Sequence, residues 1–126
     1  MSKVIIRFID IDSLGHVNNA VFLNYFEEGR IEWFNKLIGN DWDWRKQGTI
    51  LARNEIDYLK PLLLGEDASI EVKCDVVGNK SITLSYHITT SKNETIAKGR
   101  SVLVCYDYEK EESVPVYESW REKLGH

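Results

Sequence analysis

The order of apolar patterns along the chain predicts an α+β domain, with one long helix against the apolar face of a five-stranded antiparallel sheet. Two observations carry this. A short β-branched segment is followed by a long run at helical spacing and then by four strand-like segments. Three of those four alternate apolar and polar residues almost strictly, the mark of strands with one buried and one wetted face, as in antiparallel sheets. A third observation disfavours the main alternative. Strands and helices do not alternate along the chain, and neither GxGxxG nor GxxxxGK[ST] occurs, so a parallel nucleotide-binding sheet is not expected.

Val4 to Ile9 is rich in β-branched residues, ends at Asp10, and reads as the first strand. Asp10 to Val17 is a polar turn around Gly15. From Asn18 the period changes: Phe22, Phe26, Gly29, Trp33 and Leu37 recur at helical spacing, widened by Leu23, Tyr25 and Phe34. Asn18 or Asn19 suits the N-cap, and Gly39-Asn40 suits the stop. A helix of about five turns, apolar over so much of its girth, is expected to be largely covered. Phe22, Phe26 and Trp33 are assigned to the core, with part of that stripe available to line a pocket.

Ile50, Ala52, Asn54, Ile56 and Tyr58 form one face of the next strand. Ala68, Ile70, Val72, Cys74 and Val76 form one face of the third, and Ile82, Leu84, Tyr86 and Ile88 one face of the fourth. Gly78-Asn79 and Lys92-Asn93 mark the turns between strands. The last strand, about Ile96 to Asp107, contains the unbroken run Val102 to Cys105 and is expected to be central and covered on both sides. An acidic turn from Glu109 to Glu112 and a short helical piece near Trp120 complete the chain.

With 126 residues, the chain reads as a single domain spanning 1–126. Sixteen basic against twenty acidic residues give a net charge of −4. That balance excludes a generally basic nucleic-acid binder and disfavours a polybasic membrane clamp, leaving room for one small basic patch. Two cysteines, Cys74 and Cys105, make no disulfide framework and no zinc spacing, and both are read as buried small hydrophobes. No segment is long enough to span a bilayer. The N-terminal apolar run is broken by Arg7 and lacks a small-residue cleavage site, so a cytoplasmic location is expected. The sequons at Asn79 and Asn93 are then without use. His87, on the polar face of its strand, and His126 are expected to be solvated.

The densest polar cluster is Asp10-Ile11-Asp12-Ser13-Leu14-Gly15-His16-Val17-Asn18-Asn19, between the first strand and the start of the long helix. The first turn of a helix presents unpaired N–H groups and partial positive charge, which can hold a developing oxyanion. A carboxylate in the preceding loop can act beside them as base or nucleophile. The same residue types also lead at turns and caps, so a purely structural reading stands beside this one. Asp10 is read as a turn residue. His16, four residues after Asp12, suits proton work near neutral pH.

This cluster, followed by Tyr25-Phe26-Glu27-Glu28-Gly29-Arg30, resembles the hotdog-fold thioesterases, in particular the 4-hydroxybenzoyl-CoA thioesterase-like acyl-CoA thioesterases. Plant acyl-carrier-protein thioesterases carry a similar His-Val-Asn-Asn stretch. The resemblance continues through Asp57-Tyr58-Leu59-Lys60-Pro61, Gly65-Glu66-Asp67 and the turn Gly78-Asn79-Lys80-Ser81, and covers about Val4 to Asp107. It implies a five-stranded antiparallel sheet wrapped around one long helix and a homodimer or homotetramer with sites between protomers. It implies an acyl-CoA substrate, with CoA entering only as part of substrate and product; with Asp12 beside a helix N-terminus and no metal-ligand cluster in the sequence, no metal or other cofactor is expected. Asp12 matches the catalytic carboxylate, Asn19 the residue whose N–H polarises the thioester carbonyl, and His16 the histidine of the plant-type motif. Val17, Asn18, Tyr58, Lys80 and Ser81 are implied substrate contacts, Lys80 for the CoA phosphates. Leu14 stands where plant-type enzymes have an asparagine. In another branch the carboxylate is a helix glutamate, which would point to Glu27 or Glu28. A non-catalytic acyl-CoA or acyl-carrier binding module and an acyl-carrier-protein thioesterase are the alternatives on the same fold. A hotdog dehydratase has only His16 to offer. The Asp10-x-Asp12 pair also resembles the start of haloacid-dehalogenase phosphatases, whose parallel sheet does not fit in this length.

Overall fold

The computed structural model describes residues 1–125, so His126 lies outside the described residues. The elements follow in the expected order with one unexpected short strand, β6, before the last helix: β1 (Ser2–Val4), α1 (Phe22–Ile38), β2 (Gln47–Tyr58), β3 (Ala68–Val77), β4 (Ser81–Thr90), β5 (Thr95–Asp107), β6 (Glu112–Ser113) and α2 (Glu118–Leu124). The strands join in the order β1-β3-β4-β5-β2. β1 runs antiparallel to β3, with Ser2 opposite Ile70 and Val4 opposite Ala68. The two-residue β6 adds a sixth member beside β5, with Tyr106 opposite Ser113. A long helix and an antiparallel sheet in this order form the hotdog fold.

The first strand stops earlier than its β-branched residues predict. Pairing ends at Val4, and Phe8–Asp10 form a 3-10 turn. The Arg7 N–H donates to Asp10 Oδ2 (2.9 Å), and this local bond prevails over strand propensity. The helix start is also modified. Asn18 is the cap, as expected, but the residue it caps opens a 3-10 turn (Asn19–Val21), and α-helix begins only at Phe22. Gly39, at φ +82°, takes the left-handed conformation that ends α1.

Burial follows the alternation best in β4, where Ile82, Leu84, Tyr86 and Ile88 are all buried. In β3 it fades from buried Ala68 and Ile70 to half-buried Cys74 and exposed Val76. Cys74 is therefore not a core residue, unlike Cys105. β5 lies between β4 and β2 as expected, but only one of its faces is buried: Leu103 and Cys105 are inside, while Val102 and Val104 are half-buried. The expected buried face of β2 is mostly exposed: Ile50, Ala52 and Tyr58 are exposed and Asn54 and Ile56 half-buried, because this face meets no covering layer in the chain. His87 is half-buried, with Nε2 3.0 Å from Thr95 Oγ1, rather than freely solvated.

The chain packs as two compact units. The first comprises Met1–Trp33, Ile56–Val72 and Tyr86–Gly99. Within it the Phe26 ring stacks on Tyr86, with centroids 4.2 Å apart. Gly29 allows a close approach to β3, since a Cβ there would lie 3.0–3.3 Å from Ile70 and Val72 side-chain atoms. The second comprises Phe34–Glu55, Lys73–Ser85 and the chain from Arg100 onward. Trp120 of α2, fully buried, packs there against Phe34, Trp42, Trp44 and Tyr117, with ring centroids 4.7–5.6 Å apart. Arg121 donates from one guanidinium nitrogen to the carbonyls of Gly78 (2.6 Å) and Asn79 (3.1 Å), tying α2 to the turn between β3 and β4. Among the described residues no helix is long and apolar enough to cross a membrane.

Candidate functional site

The polar cluster of the first unit folds as a miniature hairpin. The Asn18 N–H donates to the Asp10 carbonyl (2.8 Å) and the Asp12 N–H to the His16 carbonyl (2.8 Å), with Ile11 and Val17 bridged between them. Gly15, at φ +82°, turns the tip. Asp12 Oδ1 accepts from the Leu14 N–H (2.9 Å) and, more weakly, from the His16 N–H (3.4 Å), the closure of an Asx turn. Asp12 Oδ2 accepts nothing among the described residues, and the side chain is half-buried. The returning limb is held from its other side. The Val17 N–H donates to the Leu62 carbonyl (2.8 Å), and His16 bridges to Leu63.

The hairpin delivers the chain to the helix start. Asn18 Oδ1 accepts from the Ala20 N–H (2.9 Å), and the Asn18 carbonyl from the Val21 N–H (2.9 Å). The Asn19 N–H has no acceptor among the described residues, as expected of a first-turn donor. Tyr58, at the end of β2, donates its hydroxyl to the Asn19 carbonyl (3.0 Å) and meets Phe22 edge to face at 5.5 Å. A cavity of about 220 Å³ opens here, walled by His16, Val17, Asn19, Phe22, Tyr58 and Leu62 among others. Val17, Phe22 and Leu62 are buried and make its floor apolar.

Below the hairpin lies a buried carboxylate. Asp10 is 2% exposed. Its Oδ2 accepts from the Tyr25 hydroxyl (2.8 Å) and the Arg7 N–H, and its Oδ1 from the Arg7 guanidinium (3.2 Å). Burial alone would push this carboxyl up; the three donors outweigh it and hold the group below its ordinary value. Burial and the neighbouring Asp10 both push the Tyr25 hydroxyl up.

Of the eight residues named from sequence, His16, Val17, Asn19 and Tyr58 line this cavity, and Asn18 caps the turn beside it. Asp12 is not among the lining residues; it stands just before the hairpin tip, its Oδ1 3.4 Å from the His16 N–H. Lys80 and Ser81 belong to the second unit, at the turn between β3 and β4, where the Ser81 carbonyl accepts from the Gly78 N–H (2.7 Å). Glu27 is exposed on α1, 3.8 Å from Arg30, and Glu28 is also exposed. Sequence reasoning missed Leu62, an apolar residue behind Pro61 in an otherwise exposed stretch, and the Asp10–Tyr25 bond, whose partners are fifteen residues apart. Among the described residues no three His, Cys, Asp or Glu side chains gather as a metal site would require.

Residues 6–124 match the thioesterase-like superfamily. The chain is 36% identical over 126 residues to the uncharacterized protein YsmA of Bacillus subtilis, covering 99% of this chain and 84% of that protein. It is 26% identical over 127 residues to the long-chain acyl-CoA thioesterase FadM of Escherichia coli, covering 98% and 95%. Among solved structures, a thioesterase from Thermus thermophilus complexed with coenzyme A and Zn is 40% identical, with a TM-score of 0.83 over 97% of this chain and 88% of that one. The chain belongs to the thioesterase-like superfamily and is a thioester hydrolase of the hotdog fold.

Proposed function

We propose that this protein hydrolyses acyl-CoA thioesters, releasing a free acid and CoA, with Asp12 as base or nucleophile. The observation that carries the reading is the unpartnered N–H of Asn19, a residue that lines an apolar-floored cavity, with the free Asp12 Oδ2 in the adjoining hairpin. The Asn19 N–H donates a hydrogen bond to the carbonyl oxygen as negative charge grows there, and the partial positive charge of the helix start adds to that stabilisation. Asp12 either attacks the carbonyl carbon, expelling CoA as its thiolate and leaving a mixed anhydride that water then hydrolyses to the free acid, or takes a proton from the attacking water, after which the C–S bond breaks and the CoA thiolate leaves and takes up a proton. His16 orients substrate or water. Val17, Asn18 and Tyr58 contact the acyl thioester, and the relative that carries coenzyme A supports CoA as the thiol.

Lys80 contributes affinity for the CoA phosphates, with Ser81 beside it. Support comes from an exposed Lys80 ammonium in no ion pair among the described residues, next to the unpartnered N–H groups of Asn79 and Lys80. Hydrolysis needs no metal, a reading supported by a donor set of one carboxylate and one backbone N–H. The described chain is a single domain in this reading, and a cytoplasmic location is proposed with it.

A panel of short, long and aromatic acyl-CoAs, assayed with a free-thiol reagent, tests the reading. Thiol release unaffected by a chelator is expected. No release from any member, with binding retained, would favour an acyl-CoA binding module; release only from acyl-carrier protein would favour that carrier. In the same assay Lys80→Ala should raise KM with kcat little changed, as for lost uniform binding; an unchanged KM removes Lys80 from the site.

The protein is further proposed to be a homodimer or homotetramer. The exposed edge strand β2, with Ile50 42% and Leu51 41% exposed, supports this, because such an edge invites pairing. Sedimentation should give at least a dimer at micromolar concentration, and a monomer there contradicts it.

A further inference from the structure

We propose that Asp10 is a positioning residue that sets the Asp12 hairpin against the start of α1. The proposal rests on the assignment of Asp12 above. Asp10 is the point where three separate pieces of chain are joined. Its carbonyl receives the Asn18 N–H at 2.8 Å and so closes the base of the hairpin. Its carboxylate receives the Tyr25 hydroxyl at 2.8 Å, one turn into α1, and the Arg7 N–H at 2.9 Å from the incoming chain. Asp12 follows two residues later on the limb that Asp10 anchors, and Asn19 follows directly after Asn18 on the other. The two groups assigned to the reaction thus extend from the two ends of a single hydrogen bond, and the Asp10 side chain fixes that bond to the helix.

The chemistry of the contact fits positioning better than bulk packing. A buried carboxylate is a costly way to fill space, and an apolar side chain would pack without that desolvation penalty. Hydrogen bonds are directional where apolar contacts are not. Oδ2, shared between Tyr25 and Arg7, fixes the direction in which the limb leaves the helix surface. Tyr25 is itself buried, and its ring meets Phe22, a wall of the cavity, edge to face at 5.8 Å. Displacing a catalytic group by about 1 Å can lower turnover by about 10²-fold.

The test uses Asp10→Asn and Tyr25→Phe, each made alone and in an Asp12→Asn background. Melting curves set an assay temperature at which every variant is folded. Asp10→Asn keeps the size of the side chain but places an NH₂ among donors. It should lower kcat by about 10–10²-fold with KM for acyl-CoA unchanged. Tyr25→Phe removes one hydrogen bond and keeps the ring, and should give a smaller loss of the same kind. In the Asp12→Asn background neither change should lower kcat further, since a residue that acts through Asp12 has nothing left to position. An unchanged kcat in the folded single variants would overturn the proposal, as would a loss seen only in KM or losses that multiply in the double variants. Should Asp10→Asn not fold, Tyr25→Phe decides the question by the same criteria. Asp12→Asn with ordinary turnover would remove the assignment of Asp12 and this proposal together. An inactive Asp12→Asn beside an unimpaired Asp10→Asn would remove this proposal alone.

Discussion

Replacing Asp12 by asparagine is expected to lower kcat by about 10²–10⁴-fold while leaving the fold intact. The amide keeps the size and the Oδ1 acceptor that the Leu14 N–H uses, so the Asx turn survives. It loses the basicity and nucleophilicity of Oδ2, the oxygen without a partner among the described residues. His16→Ala should do less, because His16 is assigned to orientation. Glu27→Gln is the control: Glu27 is exposed on α1 and pairs with Arg30. If Asp12→Asn kept near wild-type turnover while Glu27→Gln lost it, the reacting carboxylate would be the one on the helix. Steady-state kcat on a substrate from the acyl-CoA panel, with circular dichroism as the check on folding, decides between them.

Trp120→Ala should remove about 3–5 kcal/mol of stability, the scale for deleting a large buried aromatic side chain. Trp120 is 0% exposed and touches four aromatic rings of the second unit. Such a loss is a large share of the roughly 5–15 kcal/mol that holds a domain together. It should appear as a fall in melting temperature of about 10–20 °C. The indole N–H of Trp120 has no acceptor among the described residues. Trp120→Phe sheds that N–H and keeps a ring, and so should lose much less. Equal melting of Trp120→Ala and the parent would show that α2 adds nothing to the second unit.

The parts of the fold legible in sequence are those where one local signal dominates. β4 alternates because each of its apolar residues meets a core, and the sequence period passes directly into burial. The cap at Asn18 was legible because its side chain bonds two residues ahead. The first strand misled where a side chain overruled propensity: Val4 to Ile9 looks like a strand, but the Asp10 carboxylate captures the Arg7 N–H and turns the chain. β2 misled for another reason. Its alternation promises a buried face that a single chain does not cover. At the site, the motif located the hairpin and the helix start. It could not tell buried Asp10 from half-buried Asp12, which share a side chain and lie two residues apart. Their difference is made by Tyr25, a partner fifteen residues away.

The grouping of aromatic rings in the second unit gives the molecule a built-in optical probe. Of its four tryptophans, Trp42, Trp44 and Trp120 lie in that unit, with Trp120 near both others, and Trp33 is in the first. Indole emission therefore reports mainly on the second unit, whereas the Asp12 hairpin and its cavity wall contain tyrosine, phenylalanine and histidine but no tryptophan. Substitutions at Asp10, Asp12 or His16 should leave the emission maximum unchanged even where turnover collapses. A red shift in any of them would reveal damage reaching beyond the hairpin, and would mark that variant's kinetics as a record of unfolding rather than of chemistry.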